Sequence, residues 1–241
     1  MRNLKITLQY NGKNYCGWQK QPNALGIQGT VEKAIYEITK EEVKVTASGR
    51  TDAGVQALGQ VANFNTESKL QADRLPAALN AKLPKDISII SCEEVDIDFH
   101  ARYNACGKTY RYLIYNKPYR SPLYKDLSYH VRYDLDLDKI RLEAKSLIGT
   151  HDFGGFMSSG SSVKDTVRTI YDVDIQENDG IISIEVSGNG FLYNMVRIIV
   201  GTLVDIGRGR IKHNMEEIIN SKSRSMCGHT APAHGLFLKK V

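Results

Sequence analysis

Thr169-Ile170-Tyr171-Asp172-Val173-Asp174-Ile175-Gln176 and Ile181-Ile182-Ser183-Ile184-Glu185-Val186-Ser187 flank the segment Glu177-Asn178-Asp179-Gly180. On both sides apolar residues alternate with polar ones, the period of a strand with one buried face. Asp179-Gly180 is a pair that accepts the positive φ angles of a two-residue hairpin. The stretch therefore predicts two antiparallel strands. Directly behind them, Gly190–Ile206 is apolar on most sides, which predicts a long buried helix. A hairpin followed by a helix is the middle of a β-α-β-β-α-β unit.

The neighbouring segments complete that unit. Upstream, Lys108–Tyr115 reads as a strand and Leu137–Ile148 as a helix. Downstream, Met215–Asn220 reads as a further helix and Gly235–Leu238 as a short closing strand. The earlier part of the chain has the same order. Leu4–Tyr10 is a strand pattern. Gln28–Lys40 is a helix with Val31, Ala34, Ile35 and Ile38 on one face. Val43–Ser48 and Gln60–Phe64 are strands, Asp73–Lys82 is a helix with Pro76 in its first turn, and Ile87–Val95 is a strand. The expected fold class is α+β: two ferredoxin-like (βαββαβ) halves, residues 1–105 and 106–241. They are expected to join into a large antiparallel sheet with helices on one face and a basic cleft. Residues 97–107 and 117–134 read as connectors.

A chain of 241 residues can bury a substantial core. No apolar run approaches the ~18 residues that span a bilayer. Met1–Tyr10 alternates like a strand rather than forming the apolar block of a signal peptide, so a cytoplasmic protein with no membrane segment is expected. Cys16, Cys92, Cys106 and Cys227 lie far apart with no C-x-x-C pair, which favours free buried thiols over disulfides or zinc. The net charge of +5 is only a mild excess. Its distribution says more. Between Ala101 and Arg132 lie seven basic residues, one acid (Asp126) and seven of the thirteen tyrosines. Cations hold phosphates and rings stack on bases, so this window suits RNA. It equally suits a tyrosine-rich strand with a solvated basic face.

The segment richest in chemistry is Ser48-Gly49-Arg50-Thr51-Asp52-Ala53-Gly54-Val55-Gln56, between two predicted strands. Glycines bracket Arg50 and Asp52 and allow a ligand to approach the backbone closely. In an extended stretch those two side chains share a side, so the cation can keep the carboxylate ionised and can also grip phosphate. An ionised, positioned carboxylate is a competent nucleophile toward a sugar or base carbon. The same residues also suit an ordinary turn, capped by Asp52, with Arg50 in a surface ion pair. A phosphate-binding P-loop is a poor match, because Val55 stands where Lys is needed.

Gly49-Arg50-Thr51-Asp52-Ala53-Gly54-Val55 resembles the signature of the TruA-type tRNA pseudouridine synthases. Lys108-Thr109-Tyr110-Arg111-Tyr112 resembles that family's K-x-Y-x-Y strand. Gly190-Phe191-Leu192-Tyr193-Asn194-Met195-Val196-Arg197 resembles its F-L-x-x-M-V-R helix, and Thr230-Ala231-Pro232-Ala233-His234-Gly235-Leu236 its T-A-P-x-x-G-L segment. The matches fall in family order across nearly the whole chain. Gln56 departs from the family, which often has His after Gly-Val; the change is expected to alter how the loop is held and to leave the nucleophile intact.

The resemblance implies isomerisation of uridines 38, 39 and 40 of the tRNA anticodon stem-loop, without cofactor or metal, by a homodimer. It implies Asp52 as the catalytic carboxylate, with Tyr110 at the target base and Arg197 in the site. Arg50 is expected to grip the RNA backbone or to fill the gap left by the flipped base. Two other functions compete. A non-catalytic RNA-binding protein would explain the basic, Tyr-rich strand but not a carboxylate set between glycines. A metal-dependent phosphoesterase using Asp52 would need an acidic or histidine cluster that the sequence does not offer. His151-Asp152 reads as a cap and loop hydrogen bond. His229, His234 and Cys227 read as structural. Trp18 reads either as a core anchor or as an RNA contact.

Overall fold

The computed structural model describes residues 1–161 and 163–241. The chain divides into two compact units, Met1–Cys106 with Phe237–Val241, and Gly107–Leu236.

In the first unit the order is β1 (Arg2–Tyr10), α1 (Ile27–Thr39), β2 (Thr46–Ala47), β3 (Gln56–Thr66), α2 (Leu75–Asn80) and β4 (Ile87–Val95). Strand β1 lies between β3 and β4, antiparallel to both, with Ile6 opposite Ala62 on one side and Cys92 on the other. Leu4, Ile6, Leu8 and Tyr10 are buried, as the period of two requires. Helix α1 buries Ile27, Val31, Ala34 and Ile35 along one stripe and ends at Lys40 in the left-handed region, φ 62. Pro76 sits in the first turn of α2, where it gives up no helical hydrogen bond. Only Thr46–Ala47 of the predicted strand Val43–Ser48 pairs, antiparallel to β3.

The second unit holds β5 (Lys108–Tyr115), β6 (Tyr129–His130), α3 (Leu137–Ala144), β7 (Gly149–Asp152), β8 (Val167–Asn178), β9 (Ile181–Gly188), α4 (Met195–Gly207) and α5 (Met215–Ser221). Its strands run in the order β5-β9-β8-β7, with β6 beside β5. The β8–β9 hairpin turns at Asp179 (φ 46) and Gly180 (φ 76), the left-handed pair a two-residue hairpin demands. A bulge between Ile170 and Asp172 resets the alternation, so Tyr171 and Asp172 are both exposed between buried Ile170 and half-buried Val173. The last strand, β10 (Leu236–Lys240), runs back into the first unit.

Three expectations need correction. The pairing is mixed rather than antiparallel: β10 runs parallel to β3, and β6 parallel to β5. Strand direction is set by the connection leading into a strand, and parallel neighbours need a long crossover. Nothing within the five residues of β10 encodes it. The helix predicted over Gly190–Ile206 begins only at Met195, because Asn194 takes φ 61, a conformation that an α-helix cannot contain. The four cysteines are free as expected, but only Cys227 is buried. Among the described residues no helix is long and apolar enough to cross a membrane.

Candidate active site

The loop between β2 and β3 is held from beneath. Ser48 is fully buried and its hydroxyl donates to Gln60 Oε1 at 2.8 Å. Gln60 Nε2 donates to the Gly49 carbonyl at 2.9 Å. The Tyr10 hydroxyl lies 2.8 Å from Thr51 Oγ1, and burial pushes its pKa up to about 12, so it stays a neutral hydrogen-bonding group. The backbone then turns: Val55 N–H donates to the Asp52 carbonyl at 3.1 Å, with Gly54 at φ 78 in the position where a β-turn needs a residue without a Cβ. Asp52 opens this turn and is half-buried, whereas Arg50 is exposed.

A second loop straps the first. Trp18 N–H donates to the Thr51 carbonyl at 3.0 Å, and the Trp18 ring is buried beside Tyr10. Trp18 is therefore a core anchor. Gly17, at φ 103, passes so close to Thr51 that a Cβ would lie 2.5 Å from its carbonyl oxygen. Gln56 fastens the two loops together. Its Oε1 accepts from Gly12 N–H at 2.8 Å and its Nε2 donates to the Gly54 carbonyl at 3.2 Å. Gln56→Ala strands a buried N–H and is expected to cost about 1–2 kcal/mol, read as a lower urea midpoint with an unchanged slope.

The other three motifs meet inside the second unit. Lys108, Tyr110 and Tyr112 share one face of β5. The Tyr110 ring stands edge-on to Phe191, with centroids 5.1 Å apart. Tyr112 is fully buried and donates to the Pro232 carbonyl at 2.7 Å; burial raises its pKa far beyond physiological pH. Segment 228–232 lies along one stripe of α4. Ala231 N–H donates to the Arg197 carbonyl at 3.0 Å, and Arg197 Nε donates back to the Ala231 carbonyl at 2.7 Å. Four residues on, Gly201 lets the His229 backbone rest against the helix. Four further, Asp205 accepts from His229 Nδ1 at 2.8 Å.

Arg197 Nη1 also donates to Asn194 Oδ1 at 2.7 Å. Asn194 was part of a recognisable motif, yet nothing in its sequence context marks its role. The one available signal is that Asn, among residues with side chains, best tolerates left-handed backbone.

The remaining candidates are structural. His151 Nε2 lies 3.1 Å from the Ile148 carbonyl, and Asp152 accepts from Gly154 N–H and Thr166. His234 Nε2 lies 3.0 Å from the Ser128 carbonyl, and the Cys227 thiol faces the Gly155 carbonyl. Among the described residues no three His, Cys, Asp or Glu side chains could jointly hold a metal.

These motifs are those of enzymes that modify RNA bases. A family described as tRNA pseudouridine synthase matches residues 6–104 and 144–241, and the chain belongs to it. It is 52% identical to a tRNA pseudouridine synthase A of Acetivibrio thermocellus over 242 residues, covering 100% of this chain and 99% of the relative. A protein of the same name from Thermoanaerobacter sp. is 48% identical with the same coverage. The tRNA pseudouridine synthase A 2 of Clostridium tetani is 49% identical over 243 residues, covering 100% of this chain and 98% of the relative. By family this chain is an isomerase acting on tRNA.

Proposed function

We propose that this chain converts uridine to pseudouridine at positions 38, 39 and 40 of the tRNA anticodon stem-loop, with Asp52 as nucleophile. The carrying observation is a half-buried carboxylate at the head of a turn that two buried networks and a strap from Gly17–Trp18 hold in place. Isomerisation breaks the N1–C1′ bond, rotates the uracil and forms a C5–C1′ bond, with loss of the C5 proton. Nothing is oxidised or hydrolysed, so no cofactor is needed. The target base must first leave the stack.

Asp52 attacks the flipped nucleotide or takes the ribose proton that begins glycal formation. Tyr110 stacks beside the uracil and its hydroxyl moves a proton; its edge-on contact with Phe191 supports a fixed ring. Arg197, held by the neutral acceptors Ala231 and Asn194, is the cation of the site. Arg50, exposed on the same loop as Asp52, grips the RNA backbone or fills the space left by the flipped base. The architecture we infer is two ferredoxin-like halves, residues 1–105 and 106–241, with a basic cleft for the stem-loop, in a cytoplasmic homodimer. The basic, Tyr-rich run Ala101–Arg132 suits part of that RNA surface.

The direct test maps pseudouridine in tRNA treated with the native protein and with Asp52→Ala. Modification at 38–40 by the native protein alone supports the proposal, and modification by both sinks the assignment of Asp52. Tyr110→Phe is expected to bind tRNA normally and to lose roughly 10²-fold in turnover, the low end of what a positioned proton-transfer group supplies. Undiminished turnover would leave Tyr110 only its stacking role.

A further inference from the structure

We propose that Asn194 is a positioning residue that holds the Arg197 guanidinium in its working orientation. This rests on the reading of Arg197 as an active-site cation. Three local rules are broken where α4 begins. Asn is among the best helix N-caps, yet the Asn194 side chain caps no backbone N–H. Its backbone lies at φ 61, ψ 9, where a residue bearing a Cβ loses roughly 1 kcal/mol. The first turn of the helix also carries a cation, Arg197, and no acid, which opposes the helix dipole. A helix start that forgoes a cap, a relaxed backbone and a favourable charge together is shaped for something other than stability.

What these concessions gain is a fixed arginine. The left-handed turn brings Asn194 Oδ1 to 2.7 Å from Arg197 Nη1, while Asn194 Nδ2 donates to Ser158 Oγ at 3.0 Å. Arginine has no acceptor, so the amide must present its oxygen to the guanidinium, and Ser158 holds the other end of the amide. Nε is taken by the Ala231 carbonyl at 2.7 Å. These two bonds fix the guanidinium plane. Both acceptors are neutral, so they orient the charge without cancelling it. A carboxylate in either place would do the opposite.

Asn194→Gly removes the amide and keeps the left-handed backbone at no steric cost. Asn194→Ala removes both. The single-turnover release of tritium from tRNA carrying 5-tritiated uridine, tRNA affinity and Tm are measured for both variants, for Arg197→Ala and for Asn194→Gly/Arg197→Ala. Both Asn194 variants are expected to lose on the order of 10- to 100-fold in rate, as misplaced catalytic groups do, with tRNA affinity unchanged. Tm is expected to fall in Asn194→Ala only, so rate follows the amide and stability follows the backbone. In the Arg197→Ala background, Asn194→Gly adds no further loss, because the two residues act as one unit. A normal rate in Asn194→Gly beside an impaired Arg197→Ala overturns this proposal alone, as does an additive loss in the double variant. A normal rate in Arg197→Ala overturns the reading of Arg197 on which it stands.

Discussion

Asp52→Asn is expected to abolish turnover while leaving the fold and tRNA binding intact. The substitution preserves shape and removes the negative charge. Asp52 opens the turn closed by Val55 N–H, and Asn serves that position as well as Asp, so the backbone has no reason to move. Thr51, Gln60, Tyr10 and Trp18, which hold the loop, are untouched. A neutral amide cannot attack a sugar or base carbon and cannot take a proton. Removal of a nucleophile costs on the order of 10⁴-fold or more. Tritium release under single-turnover conditions measures the loss, and filter binding measures affinity. A rate within tenfold of the native one would remove Asp52 from the chemistry.

Gly201→Ala is expected to cause the largest loss of stability among single-methyl changes in α4. Alanine is the better helix former by about 1 kcal/mol, so propensity alone predicts a gain. The added Cβ, however, would lie 1.8 Å from the His229 carbonyl oxygen and 2.8 Å from its carbon. Both are backbone atoms and cannot rotate away. Helix α4 and segment 228–231 must separate, at a cost of about 3 kcal/mol or more that outweighs the propensity gain. The movement also disturbs the His229–Asp205 contact and the carbonyl of Ala231 that holds Arg197. Thermal unfolding is expected to show Tm lowered by roughly 5–10 °C, with activity reduced even at temperatures where the protein stays folded. An unchanged or raised Tm would mean that the segment is not pressed against the helix.

Much of this was legible in the residues. The period-two alternation of β1, β5, β8 and β9 marks those strands, and Asp179-Gly180 marks the turn between two of them. The stripe of Ile27, Val31, Ala34 and Ile35 marks α1. The loop proposed to carry the chemistry stands out in the sequence as a carboxylate and a cation between glycines. What could not be read depends on partners distant in sequence. The direction of β10 follows from the strand it meets, not from its own five residues. The late start of α4 follows from Asn194, whose left-handed backbone is stabilised by contacts with Arg197 and Ser158. The burial of Trp18 follows from a strap whose polar, glycine-containing sequence reads equally well as a loose loop. The role of Gln60 as a brace for Gly49 is likewise invisible until the loop closes over it.

The parallel seam between β3 and β10 has a consequence for synthesis. Gln56 and Ala57, directly downstream of the Asp52 turn, face Phe237 and Leu238 in that seam. A nascent chain carries the Asp52 loop out of the ribosome early, but the strand that flanks its anchor emerges only after the whole second unit has been made. Until then the edge of β3 stands open, and the earlier unit remains unfinished. Translation thus imposes a delay on competence: a polypeptide stalled before residue 237 would carry every residue assigned to the chemistry and still lack the strand that completes the sheet beneath it.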